Sequence, residues 1–193
     1  MNIHSNREQW LNAAVEELRP IYDAVSFKLP DRIRVTCGFP SSRARANRAF
    51  IGEHWPPSAS NDNTHEILIS PVVDQPIEVF AVLVHELAHA ATVGDGHGKT
   101  FRKCVRSLWL EGPATATVAG NAFKENFKNI LDGLGDYPHA KLNIDAVRKK
   151  QSTRMLKAVC GHVDCNYTVR VSQAWAAKGL PVCPIHNVPF VLA

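Results

Sequence analysis

The stretch HELAHA, residues 85–90, sets two histidines four positions apart around a glutamate, inside the apolar run IEVFAVLVHELAHAAT. A helix that is apolar on nearly every side is normally buried, and burying His85, Glu86 and His89 unpaired would cost several kcal/mol. Side chains four apart on a helix emerge on one face about 6 Å apart. That is the spacing two imidazoles need to hold one tetrahedral zinc. Glu86 lies about 100° further round. From there it reaches a water activated by the metal without ligating the metal itself.

A catalytic zinc takes three protein ligands and keeps one position open. Two residues are placed to be the third. His97 follows across the glycine-flanked turn GDGHG (94–98), which can fold a side chain back onto the first helix. Glu111 comes 22 residues after His89, near the expected end of the next helix. The longer H-E-x-x-H-x-x-G-x-x-H pattern does not fit, because Thr92 and Asp95 stand at its glycine and third-histidine positions.

A second constellation lies near the C-terminus. CGHVDC (160–165) is followed by CPIH (183–186), so Cys160, Cys165, Cys183 and His186 form a Cys₃His set suited to a structural zinc. The second half has the spacing of a knuckle. The first half has four residues between its cysteines rather than two, and His162 is an alternative ligand there. A segment of roughly 40 residues has too small a core to fold without such a staple.

Several elements must position these residues. Apolar positions 10, 11, 14, 15 and 18 predict a helix over 6–19, interrupted or ended by Pro20. RIRVTCGFP (32–40), RAFIGEHW (48–55) and HEILIS (65–70) read as strands of a small sheet, with PPSASNDN a loop between the last two. The HEILIS strand is expected at the sheet edge, where an extended substrate could pair. Pro76 opens the helix that carries HELAHA, from about Ile77 to Thr92. Further helices are predicted over 99–110 and 121–135, with 112–120 ambiguous and 136–153 a polar, basic linker. The expected class is α+β. The expected domains are 1–150, carrying the HExxH helix on a small sheet, and 151–193, a zinc β-ribbon.

HELAHA, the short turn and HGKTF (97–101) resemble the SprT-like zinc metallopeptidases, the family that includes the Spartan proteases of DNA–protein crosslinks. Those enzymes have H-E-x-x-H, a third histidine in an H-G-x-x-F context, and often a C-terminal zinc ribbon. The resemblance covers roughly residues 30–193. It implies a zincin-like fold, a catalytic zinc on His85, His89 and His97, Glu86 as general base, and a protein substrate. It favours His97 over Glu111. The expected cofactors are two zinc ions, one catalytic and one structural.

Charge is unevenly distributed. Residues 1–140 carry 14 Lys/Arg against 16 Asp/Glu, whereas residues 141–193 carry 8 against 2. Lys149, Lys150, Arg154, Lys157, Arg170 and Lys178, with Tyr167 and Trp175 as stacking residues, make the ribbon the candidate surface for single-stranded DNA. Arg43, Arg45 and Arg48 form a basic loop that could touch phosphate. There are five cysteines, an odd number, and the N-terminus lacks a basic region followed by an apolar run. No apolar stretch reaches the roughly 18 residues of a membrane span. A cytoplasmic monomer, associated with DNA and not with membrane, is the expectation. Two other functions compete with a zinc endopeptidase: a non-catalytic nucleic-acid-binding adaptor, and a zinc hydrolase of a non-peptide substrate. No spacing singles out an oxyanion stabiliser among Tyr22, Tyr137, Tyr167 and the histidines.

Overall fold

The computed structural model describes residues 3–41, 50–144, 146 and 155–193. Arg43, Arg45, Arg48, Lys149, Lys150 and Arg154 lie outside the described residues. The chain divides into two compact units, Met1–Ala146 and Val147–Ala193, each with its own core. The class is α+β, and among the described residues no helix is long and apolar enough to cross a membrane.

The first unit opens with helix α1, Arg7–Ala24, capped by the Asn6 side chain, which accepts from the Gln9 N–H. The helix runs through Pro20 instead of stopping there. The cost of a proline in a helix interior, about 3 kcal/mol, is set against burial on both sides of it. Leu18 and Tyr22 are fully buried, and the Tyr22 hydroxyl donates to the Val84 carbonyl at 2.6 Å. Each such large side chain contributes about 1.5–3 kcal/mol on burial.

Strands β1 (Ile33–Cys37), β2 (Gly52–Trp55) and β3 (His65–Ile69) form one sheet in the order β1-β3-β2. β1 runs parallel to β3, with Val35 opposite Ile67, and β2 runs antiparallel to it, with His54 opposite Ile67. The expectation that 65–70 is the sheet edge is therefore corrected. Alternate residues of β3 are buried, and both its sides are taken by neighbouring strands. The strand that packs against the HELAHA helix with an unpaired side, among the described residues, is β2.

Helix α2, Pro76–Ala91, starts at its proline and buries Val79, Phe80, Leu83, Val84 and Leu87. Phe80 meets Trp10 of α1 edge-on at 6.3 Å, and Phe123 and Phe127 at 6.1 and 5.2 Å. Helix α3, Lys99–Ser107, is shorter than expected, because Leu108 closes it and Trp109 turns the chain at φ 60°. A two-strand ribbon follows, β4 (Leu110–Glu111) with β5 (Val118–Ala119), and then helix α4, Asn121–Leu134. Residues 136–142, expected in a linker, are held on this unit. Tyr137 is buried against Trp10 at 5.1 Å, Arg7 donates to the Pro138 and Ala140 carbonyls, and the Leu142 N–H donates to Pro71.

In the second unit β6 (Leu156–Cys160) is flanked by β7 (Thr168–Val171) and β8 (Phe190–Leu192), both antiparallel to it. Helix α5, Gln173–Ala176, is a single turn. Among the described residues its buried core is Ala158, Cys160, Cys183 and Phe190.

Candidate metal centres

His85 and His89 leave the same face of α2, as their spacing requires, and His97 comes back to meet them. Donor atoms of the three lie within 4.8 Å of one another, a group that could hold a metal ion. The returning turn is built for this. Gly94 and Gly96 adopt φ of +87° and +53°, conformations that favour glycine. Asp95 Oδ2 accepts from the Phe101 N–H at 2.8 Å, satisfying one of the free donors at the start of α3. Phe101 is fully buried beneath the cluster, its ring 4.2, 5.0 and 5.1 Å from those of His89, His97 and His85.

Glu111 is not in this group. It lies on β4 and not on a helix, and its exposed carboxylate sits against Gly120 at the N-terminal end of α4, where the helix dipole favours an anion.

Protonation states suit metal binding. Burial, with the neighbouring His97, pulls His85 down to about 4. Burial and the nearby His85, His97 and His54 pull His89 to about 3. Both are neutral at pH 7, so their ring nitrogens are available as ligands. The Thr117 hydroxyl lies 2.8 Å from His85 Nδ1. That contact occupies one ring nitrogen and leaves Nε2 for the metal. Glu86 is 7% exposed, and burial together with Glu53 pushes its carboxyl up to about 8. Gly52 passes so close that a Cβ there would collide with the Glu86 carboxylate and with Val82, so this strand position fits the carboxylate only as glycine.

The cluster faces a cleft of about 470 Å³ lined also by Glu53, His54, Phe50, Ile51, Val82 and Val118. All three histidines of the group line the wall of this cleft. His54 and His65, left unassigned by spacing, are brought together by the pairing of β2 with β3. Their Nε2 and Nδ1 atoms lie 2.9 Å apart. Thr117, Asp95 and Gly52 gave no signal as site residues in the sequence, and His54 only the conditional one of its strand pairing with that of His65. Each acts through a contact made by the tertiary fold or by a turn.

In the second unit Cys160, Cys165, Cys183 and His186 form the other group that could hold a metal. His186 Nδ1 stands 4.0 Å from Cys160 Sγ and 3.9 Å from Cys183 Sγ. A zinc with Zn–S near 2.3 Å would set such donors about 3.6–3.8 Å apart, so the set fits with little closure. The Cys183 thiol, raised by burial, is brought down overall to about 6, chiefly by the backbone N–H groups of His186 and Ile185. His162 is outside the group and stacks on His186 at 4.2 Å.

Comparison of the chain with protein-family models, with curated proteins and with solved structures finds no match.

Proposed function

We propose that this chain is a zinc endopeptidase of the SprT-like kind, with a zincin-like first unit and a structural zinc ribbon, acting on DNA-bound proteins. The observation that carries this reading is the meeting of His85, His89, His97 and Glu86 at one cleft. A structural metal site has no use for a buried carboxyl beside its first histidine.

His85, His89 and His97 would hold the zinc ion, which would supply Lewis acidity toward a carbonyl and toward water. This chain's residues do the rest. Glu86 accepts the proton of the attacking water and passes it to the leaving amine. Burial and Glu53 hold the Glu86 carboxyl up at about 8 in the metal-free chain, and a cation bound beside it would favour the ionised form that accepts a proton. An extended peptide adds to the unpaired side of β2 by main-chain hydrogen bonds. Phe50, Ile51 and Val118 give it apolar contacts.

Charge supports the DNA-bound substrate. Lys99, Arg102, Lys103 and Arg106 occupy the exposed face of α3, directly after His97. None of the four forms an ion pair among the described residues. On the ribbon, Lys157 and Arg170 are exposed cross-strand partners. Trp175 is 66% exposed, with the Lys178 ammonium 4.7 Å from its ring centre. A stacking surface beside cations suits single-stranded nucleic acid.

The test is digestion of a DNA-binding protein with and without single-stranded DNA, at low and high salt. Cleavage that DNA accelerates and salt suppresses is the expected result. A protein that holds zinc and binds DNA but cuts no peptide bond would be an adaptor. One that hydrolyses only esters or amides outside proteins would be a hydrolase of another class.

A further inference from the structure

The cleft contains a fourth imidazole that the proposed chemistry has not used. His54 sits within β2 and lines the cleft opposite α2. Its Nε2 lies 2.9 Å from Nδ1 of His65, which is 7% exposed on the central strand. The two rings stack at 5.2 Å and 25°. His54 is thus held from behind by a residue that has no freedom to move.

Distances separate His54 from the three histidines of the cluster. The rings of His85, His89 and His97 stand 4.8–5.7 Å apart. Two imidazoles sharing one tetrahedral zinc, with Zn–N about 2.0–2.1 Å, have ring centres about 5 Å apart. The His54 ring lies 6.3 Å from that of His89 and nearly parallel to it, at 6°. That separation is longer than any within the group, and His54 lines the same cleft without belonging to the group.

Among the described residues, the other tyrosine and threonine donors are spent or elsewhere. The Tyr22 hydroxyl donates to Val84, Tyr137 is buried against Trp10, and Tyr167 belongs to the second unit, against Phe190. The Thr117 hydroxyl is taken by His85. Thr115 also lines the cleft, exposed in a turn. A donor stabilises a developing charge most when it is fixed beforehand, and His54 meets that condition.

We propose that His54 is a catalytic residue that donates a hydrogen bond to the substrate carbonyl oxygen as it becomes an oxyanion, and that His65 is its positioning residue. In this assignment His65 Nδ1–H donates to His54 Nε2, so the His54 proton resides on Nδ1, the nitrogen left for substrate. The proposal rests on the peptidase reading.

The experiment uses the full-length, zinc-loaded chain as wild type, His54→Ala, His65→Ala and His65→Asn. Zinc content, kcat, KM and the Kd of a phosphinic peptide, a stable tetrahedral mimic, are measured for each. His54→Ala is expected to keep both zinc ions, lower kcat about 10²–10³-fold, and leave KM within about twofold. It weakens the phosphinic peptide by the same factor as kcat. His65→Ala is expected to lose about tenfold in kcat, and His65→Asn, whose amide can donate from nearly the same place, to recover most of it. Loss of zinc in His54→Ala, an unchanged kcat, or a rise in KM alone would overturn the proposal. If wild type cleaves and His54→Ala cleaves equally well, this proposal alone fails. If wild type neither cleaves nor binds the phosphinic peptide, the peptidase reading fails and takes the proposal with it.

Discussion

Thr117 reaches back 32 positions along the chain to put its hydroxyl 2.8 Å from His85 Nδ1. Partners of this kind orient a ligand imidazole and fix its tautomer, and losing one typically costs 10–100-fold in metal affinity. Thr117→Val, which keeps the shape and removes the hydroxyl, is expected to weaken zinc at the histidine site by about that factor. Competition with a chelator measures it, and an unchanged affinity would mean the contact is incidental. Glu86 gives a second prediction at this scale. Its carboxyl sits at about 8 in the folded protein against an ordinary 4.5. Folding of the metal-free chain therefore favours the protonated form. Stability from this group is complete below pH 4.5 and is lost as pH rises through 8. Chelated Glu86→Gln, which cannot ionise, is expected to match wild type in Tm near pH 4.5 and to exceed it increasingly up to pH 8. A pH-independent difference would contradict the burial argument.

Among the elements, the turn from α2 to α3 decides whether the third ligand is present. Asp95 ties that turn to α3 by accepting from the Phe101 N–H. Asp95→Ala is expected to cost about 1 kcal/mol, or roughly 2–4 °C in Tm, and to weaken zinc through His97. Asp95→Asn retains the acceptor and is expected to behave nearly as wild type in thermal melts. What could be read from the sequence follows the range of each interaction. The placement of His85, Glu86 and His89 on a buried helix needs only local spacing and apolar context, so HELAHA specifies it. His97 and Glu111 could not be separated by spacing, because the glycine turn and the β4-β5 ribbon decide between them. The strands were placed within a few residues, but not their order. β3 became central and β2 the strand at the cleft because pairing partners are set by packing and not by local pattern. Pro20 failed to end α1 because tertiary burial of Leu18 and Tyr22 outweighed a local preference. His54 and His65 could be placed near the cleft only on condition that their strands pair, and the strand register meets that condition.

Across the whole molecule, the two units divide the work. The first has an extensive apolar core and the histidine group. Among the described residues, the second has four buried core residues and the cysteine–histidine group. Cys183→Ser is expected to unfold the ribbon, exposing it to limited proteolysis, while a fragment near 146 residues survives with its histidine-bound zinc. Cooperative loss of the entire chain would contradict independent units. One comparison probes the cleft itself: hydrolysis of a protein substrate by wild type and Glu86→Gln, both shown to carry two zinc ions. Wild type is expected to cleave and Glu86→Gln to be slower by at least about 10²-fold. Equal cleavage by the two, or none by a fully zinc-loaded wild type, would contradict the claim that this cleft is a peptidase site.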